Sequence, residues 1–313
     1  MLRAIIDERL AVRVVSERRL CYAEPAAPAD DRPDHVRSAS DVAMMNGRLF
    51  VIQDDASFVA VVDGDAVSAI ALPHAPNGRR RFETGLGNKL DKLDLEACVV
   101  DPTSELLAFG SGSLAVVRER ICRIGSRGVE MFEASELYER MWLAVGYALN
   151  IEGAALVGDE LWLFHRGNVG PSDPGPAIIR MSFAAFRDYL NGARAPRELR
   201  VDRVDLGRSD HVDAGYGFTG AAVASDGRVF IVCVAEASSD AIADGPVSGS
   251  RIGVIDVPNS IVRCTDSLDR AGKIEGLVFD PQDHQRGWIT FDPDDIDQPA
   301  PLCAIALVGP WRL

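Results

Sequence analysis

The sequence predicts an all-β protein, a β-propeller of five four-stranded antiparallel blades that form one domain over residues 1–313. Two observations predict this fold class. Five segments of the chain resemble one another, and each contains two apolar, β-rich runs separated by a turn. Equivalent positions recur at intervals of roughly 55 to 67 residues, which is enough chain for a four-stranded unit and its connections.

The first two strands of each unit carry the clearest repeat. The five segments are SDVAMMNGRLFVIQDD from Ser40, LEACVVDPTSELLAFGSGS from Leu95, IEGAALVGDELWLFHRGN from Ile151, FTGAAVASDGRVFIVCVAE from Phe218 and IEGLVFDPQDHQRGWITFDPD from Ile274. Asn46-Gly47 and Asp226-Gly227 are typical of tight hairpin turns because both residue pairs tolerate positive φ. The apolar runs on either side are predicted to be strands that are buried on both faces.

Two further strands complete most units. The predicted third strands are FVAVVD, LAVVRER, AIIRMSF, RIGVIDV and LCAIALV, and the predicted fourth strands of the first four units are VSAIAL, VEMFEA, LRVDRVDL and IVRCTD. The fifth unit lacks a fourth strand, and the N-terminal stretch AIIDERLAVRVV is predicted to supply it, which would close the ring and remove an open edge. Residues 17–37 are interpreted as a loop; strands hidden there would give six blades, the alternative.

Two helical insertions are predicted on the rim of the propeller. The first lies near residues 135–148, with Ser135 as its N-cap. The second lies near residues 182–191 and ends at Asn191-Gly192, a common helix stop.

Charge and composition narrow the classes of partner and the compartment. The net charge of −14 would repel phosphate backbones, which disfavours a nucleic-acid partner. No segment approaches 18 consecutive apolar residues, so no membrane span is predicted. Asp7 and Glu8 interrupt the only apolar stretch near the N-terminus, which does not fit a secretory signal and favours a cytoplasmic protein. The six cysteines form no CxxC pair and are interpreted as buried free thiols.

A ring of acidic residues is predicted in the central channel. The second position of the repeat is occupied by Asp41, Glu96, Glu152, Thr219 and Glu275, on the strand that would line the channel. Carboxylates about 6 Å apart repel by roughly 3 kcal/mol per pair at an effective dielectric constant near 20. Three arrangements would relieve this repulsion: raised pKa values, pairing with basic side chains, or a hard cation such as Ca²⁺ between the carboxylates.

Basic and polar residues are predicted near this ring and at one mouth of the channel. The candidates for pairing with the carboxylates are Lys92, Lys273 and Arg166. The ends of the second strands would add Asp54, Ser111, His165 and Glu236 at the mouth, where propellers commonly carry their function. Arg166 and His165 are candidates to bind an anionic ligand or to transfer protons, and Lys92 or Lys273 could also hold that ligand. The predicted ligand-binding set further includes Thr219, Asp54, Ser111 and Glu236.

These residues also carry a resemblance to known propellers. The stretches IEGAAL, LEACVV and IEGLVF resemble the first strands of the phytase-like, or esterase-like, bacterial β-propellers. The stretch GFTGAAVASDGRVFIVCVAE resembles a bacterial propeller family of unknown function, and the resemblance covers residues 38–308. It implies Ca²⁺ held by carboxylates, as in propeller phytases, or a channel metal, as in lactone-hydrolysing propellers. On this chain the implied metal ligands are Asp41, Glu96, Glu152 and Glu275.

Two functions are therefore predicted as alternatives. The first is a calcium-dependent hydrolase of a phosphoester, ester or lactone, in which the cation polarises the substrate and activates water. The second is a non-catalytic propeller with a salt-bridged channel that binds a small anionic molecule or a protein. The fold itself does not distinguish them, because propellers carry many unrelated functions.

Overall fold

The computed structural model describes residues 1–75, 77–167, 172–211, 214–237, 247–266, 268 and 272–312, and in these residues it contains 21 strands and two α-helices. The strands are β1 (Leu2–Ile6), β2 (Ala11–Arg19), β3 (Ala39–Met45), β4 (Arg48–Gln53), β5 (Phe58–Asp63), β6 (Ala66–Ala71), β7 (Leu95–Val100), β8 (Leu106–Gly110), β9 (Arg120–Gly125), β10 (Gly128–Glu133), β11 (Ile151–Val157), β12 (Glu160–His165), β13 (Ala177–Ser182), β14 (Arg200–Asp205), β15 (Tyr216–Val223), β16 (Val229–Glu236), β17 (Val247–Asp256), β18 (Ile261–Cys264), β19 (Lys273–Phe279), β20 (Arg286–Asp292) and β21 (Pro301–Val308). The helices are α1 (Ser135–Val145) and α2 (Phe183–Leu190).

The strands pair as four-stranded antiparallel sheets. Sheet 1 contains β3 to β6, sheet 2 contains β7 to β10, sheet 3 contains β11 to β14, and sheet 4 contains β15 to β18. Sheet 5 contains β19, β20 and β21, followed by β2 at its outer edge. The first strand of every sheet is called its inner strand below. Inner strands of successive sheets contact one another, and β19 contacts β3, so the five inner strands surround a common centre.

The N-terminal stretch predicted as one strand is two strands in the structure. The Asp7 carboxylate accepts hydrogen bonds from the backbone amide and the guanidinium of Arg9, which stabilises a turn between β1 and β2. Only β2 pairs with sheet 5. Strand β1 instead pairs in parallel with β14 and β18, and thereby joins sheets 3 and 4 along their outer edges.

Apolar side chains fill the space between neighbouring sheets. Phe164 of sheet 3 meets Phe218 of sheet 4 edge-on at a ring distance of 5.2 Å, and Phe230 of sheet 4 lies 4.5 Å from Phe279 of sheet 5. Buried apolar clusters of the same kind lie between each of the other pairs of sheets. Burial of one phenylalanine contributes about 1.5–3 kcal/mol, so these layers dominate the stability of the fold.

The structure corrects the third strand of sheet 2 and the start of the predicted loop at residues 17–37, because residues 17–19 belong to β2. The third strand of sheet 2 is Arg120–Gly125 rather than LAVVRER, because residues 114–118 turn back, with the Arg118 amide donating to the Leu114 carbonyl at 3.1 Å. This turn directs the Arg118 side chain to the buried carboxylate of Asp94, 2.8 Å away. Residues 20–37, all described, contain a short 3₁₀ turn and two isolated bridges but no further strand.

The helices begin close to the predicted positions, with one correction. Ser135 is the first residue of α1 and not its N-cap; Ala134 holds that position, and the Ser135 hydroxyl donates to Glu119 Oε2 at 2.6 Å. Helix α2 is capped by Ser182, whose hydroxyl accepts from the amide of Ala185. Among the described residues, no helix is long and apolar enough to cross a membrane. All six cysteines are free, and Cys21 is the exposed one.

Candidate functional site at one end of the inner strands

Every inner strand carries a β-bulge near its first residue. The residues left out of the strand pairing are Ser40, Glu96, Glu152, Thr219 and Glu275. A bulge leaves its extra residue outside the hydrogen-bond ladder and redirects its side chain. These five residues are called the bulge ring below, and three of them are glutamates.

The structure places Asp41 outside this ring. Asp41 follows the bulge and is equivalent to Ala97, Gly153, Gly220 and Gly276. The alignment of the first unit by sequence is therefore one residue out of register, because it matches Asp41 to the glutamates by charge. Ser40 has the same separation from Glu96, 56 residues, as Glu96 has from Glu152.

Asp41 connects two inner strands instead of facing the ring. Its fully buried carboxylate accepts hydrogen bonds from the amide of Cys98 on β7 at 2.7 Å and from that of Val42 at 2.8 Å. Burial raises the pKa of Asp41 well above its ordinary value, although the amides favour the ionised form. The glycines at the equivalent positions allow neighbouring inner strands to approach closely, since a Cβ on Gly276 would lie only 2.8 Å from Asp41 Cα.

The two hydroxyl residues of the bulge ring also connect neighbouring strands. Ser40 Oγ donates to the Leu95 carbonyl at 2.7 Å, and Thr219 Oγ1 donates to the Ile274 carbonyl at 2.6 Å. Both acceptors lie immediately before the bulge of the next inner strand. Thr219 is fully buried and its hydroxyl proton is used in this bond, so we assign it a structural role.

Glu152 is paired with Arg166. Arg166 Nη1 lies 3.1 and 3.0 Å from the two carboxylate oxygens of Glu152, and Nη2 lies 2.5 Å from Glu236 of sheet 4. Asn150 donates a further hydrogen bond to Glu152 at 2.7 Å. Burial alone would lower the pKa of Arg166, but the two carboxylates raise it. Gly217 allows this approach, since a Cβ there would lie 2.6 Å from Arg166 Cγ.

Glu275 is paired with Lys273 of the same strand. Lys273 Nζ lies 3.2 Å from Glu275, 3.7 Å from Asp294 and 3.8 Å from Glu236. Burial raises the pKa of Glu275 well above its ordinary value, and Lys273 opposes that shift. Burial would lower the pKa of Lys273, but the surrounding carboxylates raise it. Lys273 therefore links sheets 4 and 5 electrostatically.

Asp94 organises the side chains contributed by sheets 1 and 2. Lys92 Nζ lies 2.7 Å from Asp94 and also contacts Asp54 of sheet 1, while Arg118 contacts Asp94 from the other side. Burial would raise the pKa of Asp94, but Lys92 and Arg118 lower it. The fully buried Ser111 donates its hydroxyl proton to Asp94, which does not suit it to act as a nucleophile.

Glu96 differs from the other two glutamates of the bulge ring, because no basic side chain among the described residues contacts it. Within the described part of the chain it makes no hydrogen bond and no ion pair. Burial raises its pKa well above the ordinary value, the negative charges of Asp54, Asp94 and Glu152 raise it further, and the positive charge of Lys92 opposes this shift without contacting Glu96. One carboxylate oxygen from each of Asp54, Asp94 and Glu96 lies within 4.8 Å of the others.

His165 is buried below this surface and does not meet the predicted role. Its Nδ1 accepts from the Asn150 amide at 3.0 Å, and Nε2 has no hydrogen-bond partner among the described residues. Burial lowers the pKa of His165 to about 4, so the ring is neutral near pH 7. A neutral, fully buried imidazole is not placed to bind an anion at the mouth. Asn168, also predicted at this end, lies outside the described residues.

The structure thus brings most predicted residues to one end of the inner strands. We call this group the channel mouth; it consists of Asp54, Asp94, Glu96, Glu152, Arg166, Glu236, Lys92, Lys273 and Glu275. Sequence reasoning missed Asp94, Asn150 and Arg118. The first two were detectable, because the residue two before a ring glutamate is polar in three units, where it is Asp94, Asn150 or Lys273.

Comparison with known proteins assigns the chain to a family. A comparison with curated proteins gave no match. Among solved structures, the chain is similar to a mannose phosphorylase from Leishmania mexicana, with a TM-score of 0.47 and 12% identity over 93% of this chain and 88% of that one. It is similar to an aldose sugar dehydrogenase from Streptomyces coelicolor, with a TM-score of 0.43 and 11% identity over 96% and 99%. The chain is also similar to the extracellular domain of BT4673 from B. thetaiotaomicron, with a TM-score of 0.37 and 11% identity. This match covers 89% of the present chain but only 27% of the length of the BT4673 domain. Residues 35–307 match the model of DUF6929, described as a family of unknown function, and the chain belongs to that family.

Proposed function

We propose that this protein is a five-bladed β-propeller that binds a positively charged ligand at the channel mouth. Sheets 1 to 5 would be the blades, and β2 would close the ring at sheet 5. The cyclic contacts of the inner strands and the pairing of β2 with β21 support this arrangement. The charge of the ligand is inferred from the ion pairs at the mouth.

The observation that carries the proposal is the isolation of Glu96. Its neighbours in the mouth are carboxylates that already contact a cation, whereas Glu96 contacts none in the part of the chain that the structure describes. A ligand cation about 4 Å from Glu96 would gain roughly 4 kcal/mol at an effective dielectric constant of 20. Binding would therefore place a positive charge in direct contact with Glu96, which none of the described residues does; Lys92 acts on Glu96 only from beyond contact distance.

An anionic ligand is less well suited to this mouth. Lys92 contacts Asp54 and Asp94, Arg166 contacts Glu152 and Glu236, and Lys273 contacts Glu275 and Glu236. An anion would have to compete with these carboxylates for each cation. The basic residues predicted to bind an anion are thus engaged in organising the acidic groups.

Binding without catalysis fits the state of the candidate reactive groups. The Ser111 hydroxyl is held by Asp94, and the His165 ring is buried and neutral near pH 7. Neither group is placed at the mouth as a nucleophile or a base. The proposal therefore assigns recognition, and no chemical step, to this surface.

Calorimetric titration with methylguanidinium chloride tests the proposal. We expect binding to the native protein that is at least tenfold weaker in Glu96→Gln and unchanged in Glu198→Gln, which removes an exposed carboxylate elsewhere. Because burial and neighbouring charges raise the pKa of Glu96, binding should release protons and should strengthen as the pH rises. Equal affinity in the native protein and Glu96→Gln would contradict the proposal.

A second candidate function is calcium-dependent hydrolysis, which the resemblance to phytase-like propellers implies. Its support is the compact oxygen cluster of Asp54, Asp94 and Glu96, since Ca²⁺ prefers several carboxylate oxygens. These residues would replace the predicted ligand set of Asp41, Glu96, Glu152 and Glu275, of which the cluster contains Glu96. Such an ion would polarise an ester, phosphoester or lactone oxygen. The Lys92 ammonium group occupies part of the same space, which favours the first candidate.

Elemental mass spectrometry distinguishes the two candidates. Protein purified without chelator should contain about one equivalent of calcium if the second function is correct, and Glu96→Gln should lose it. Absence of calcium in the native protein, together with methylguanidinium binding, would rule out the second candidate.

A further inference from the structure

A cavity of about 230 Å³ lies between sheets 1 and 5, at the opposite end of the strands from the channel mouth. Each of its two walls contains a row of three residues, one from each of three neighbouring strands. These rows are Ser16 of β2, Ala304 of β21 and Trp288 of β20 on sheet 5, and Met44 of β3, Leu49 of β4 and Val62 of β5 on sheet 1. Protein interiors contain few voids larger than a water molecule, but the small side chains of Ser16 and Ala304 leave this space unfilled.

A β-bulge in β2 turns the polar residues of this strand towards the cavity. Before the bulge, Val12 and Val14 pack against sheet 4. The pairing of β2 with β21 shifts by one residue between Val14 and Ser16, which leaves Val15 unpaired and 64% exposed. Because side chains alternate along a strand, the shift moves Ser16 and Arg18 to the face that meets sheet 1. A continuous ladder would direct both towards sheet 4, so the bulge creates the polar part of the cavity.

Arg18 is the only charged residue among the described residues that line the cavity. Its Nη1 donates to the Gly64 carbonyl at 2.8 Å, and in the described part of the chain Arg18 makes no ion pair. In this it differs from Lys92, Arg166 and Lys273 at the channel mouth, each of which contacts at least two carboxylates. A guanidinium group pairs well with a carboxylate, which accepts two parallel hydrogen bonds. The cavity therefore suits an anion.

The walls of the cavity suit an aromatic ring. Trp288 and Met44 lie on opposite walls and are half-buried, and the indole and thioether groups both make favourable contacts with aromatic rings. An apolar cavity of about 150 Å³ can hold benzene, so the larger volume found here has room for a fused pair of rings and a carboxylate. A mostly apolar cavity with a few polar groups that fix the orientation of the ligand is typical of small-molecule sites.

We propose that this cavity binds a small aromatic carboxylate, with the ring between the apolar walls and the carboxylate on Arg18 and Ser16. The Ser16 hydroxyl makes no hydrogen bond in the described part of the chain, so it is available as a donor. A neutral aromatic molecule would leave the charge of Arg18 unmatched, and a small anion without a ring would leave the apolar walls in water. The inference goes beyond the proposed function, because it concerns a separate site and a ligand of opposite charge.

Calorimetric titration with indole-3-carboxylate tests this inference, with indole-3-carboxamide and acetate as matched controls. The amide has the same ring and a similar shape without the charge, and acetate has the charge without the ring. We expect the native protein to bind indole-3-carboxylate at least tenfold more tightly than either control.

Variants of two lining residues test whether the ligand occupies this cavity. Arg18→Gln should weaken the binding of indole-3-carboxylate at least tenfold. Arg19→Gln removes the same charge from the other face of β2 and should leave the affinity unchanged. Ala304→Leu fills the cavity and should abolish binding. Thermal denaturation checks that each variant is folded.

The outcomes separate this inference from the proposed function. If the native protein does not bind indole-3-carboxylate, or binds the amide equally well, the inference is wrong. Binding that Arg18→Gln or Ala304→Leu leaves unchanged would place the ligand elsewhere and would also overturn the inference. Glu96→Gln should bind indole-3-carboxylate as the native protein does, so neither result alters the test of the cation site.

Discussion

Replacement of Asp41 by alanine tests the assignment of this residue to strand connection rather than to a metal site. The substitution removes the acceptor for two buried amides, those of Cys98 and Val42. Each buried amide left without a partner costs about 1–3 kcal/mol, and the carboxyl group itself is costly to bury. The two effects together predict a loss of about 3 kcal/mol in the free energy of unfolding.

Urea denaturation at pH 7 measures this loss, and two comparisons make it specific. Asp63→Ala changes an exposed aspartate at the end of β5 and should alter stability by less than about 0.5 kcal/mol. The effect of Asp41→Ala should be the same with and without a chelator, because no metal is involved in the proposed connection. A change below about 0.5 kcal/mol, or a loss that a chelator abolishes, would refute the reasoning.

Three further predictions concern buried ion pairs, two at the channel mouth and one between Arg37 and Asp55. Gly217→Ala would place a Cβ 2.6 Å from Arg166 Cγ and 2.9 Å from the Arg166 carbonyl oxygen. The substitution should lower the free energy of unfolding, measured by urea denaturation, by about 1–3 kcal/mol. Gly215→Ala is the control and should be tolerated, because the nearest atom to its Cβ would be 3.8 Å away. Arg166→Met leaves Glu152 and Glu236 without their shared cation and should lower the free energy of unfolding by about 3–5 kcal/mol at pH 8. The loss should be smaller at pH 5, because the two carboxylates can then take up protons. An equal loss at both pH values would contradict this reasoning. Burial raises the pKa of Asp55 from 3.8 to about 7, and Arg37 only partly opposes this shift. Because the folded state then binds a proton that the unfolded state releases, the free energy of unfolding should fall as the pH rises from 4 to 7, by at most about 1.4 kcal/mol per pH unit. Urea denaturation at several pH values measures this dependence. If Asp55→Asn shows the same dependence on pH as the native protein, Asp55 is not its cause.

The sequence repeat predicted the strand pairs and their turns because these depend on local pattern. It did not predict that β1 and β2 are separate strands, since the turn depends on a side-chain contact between Asp7 and Arg9. The register of the bulge ring was misplaced in the first unit for a related reason. A bulge has no sequence signature of its own, and an adjacent aspartate resembles the ring glutamates more than Ser40 does.

The ion pairs at the mouth differ in how far the sequence could predict them. Lys273 lies two residues from Glu275, so its contact depends on local geometry. The contact of Arg166 with Glu236 joins sheets 3 and 4 and depends on the angle between them, which a repeat does not reveal. The sequence likewise does not predict that no basic side chain among the described residues contacts Glu96. Lys92, four residues away in the sequence, contacts Asp94 and Asp54 instead.

Carbon-13 NMR titration of the Glu96 side-chain carboxyl tests the central claim most directly. The signal can be assigned by its absence in Glu96→Gln. The account predicts an apparent pKa above the ordinary value of 4.5, which falls when methylguanidinium is added, because a bound cation favours the ionised carboxylate. A pKa near 4.5 that methylguanidinium leaves unchanged would contradict the claim that the Glu96 carboxylate binds a cationic ligand.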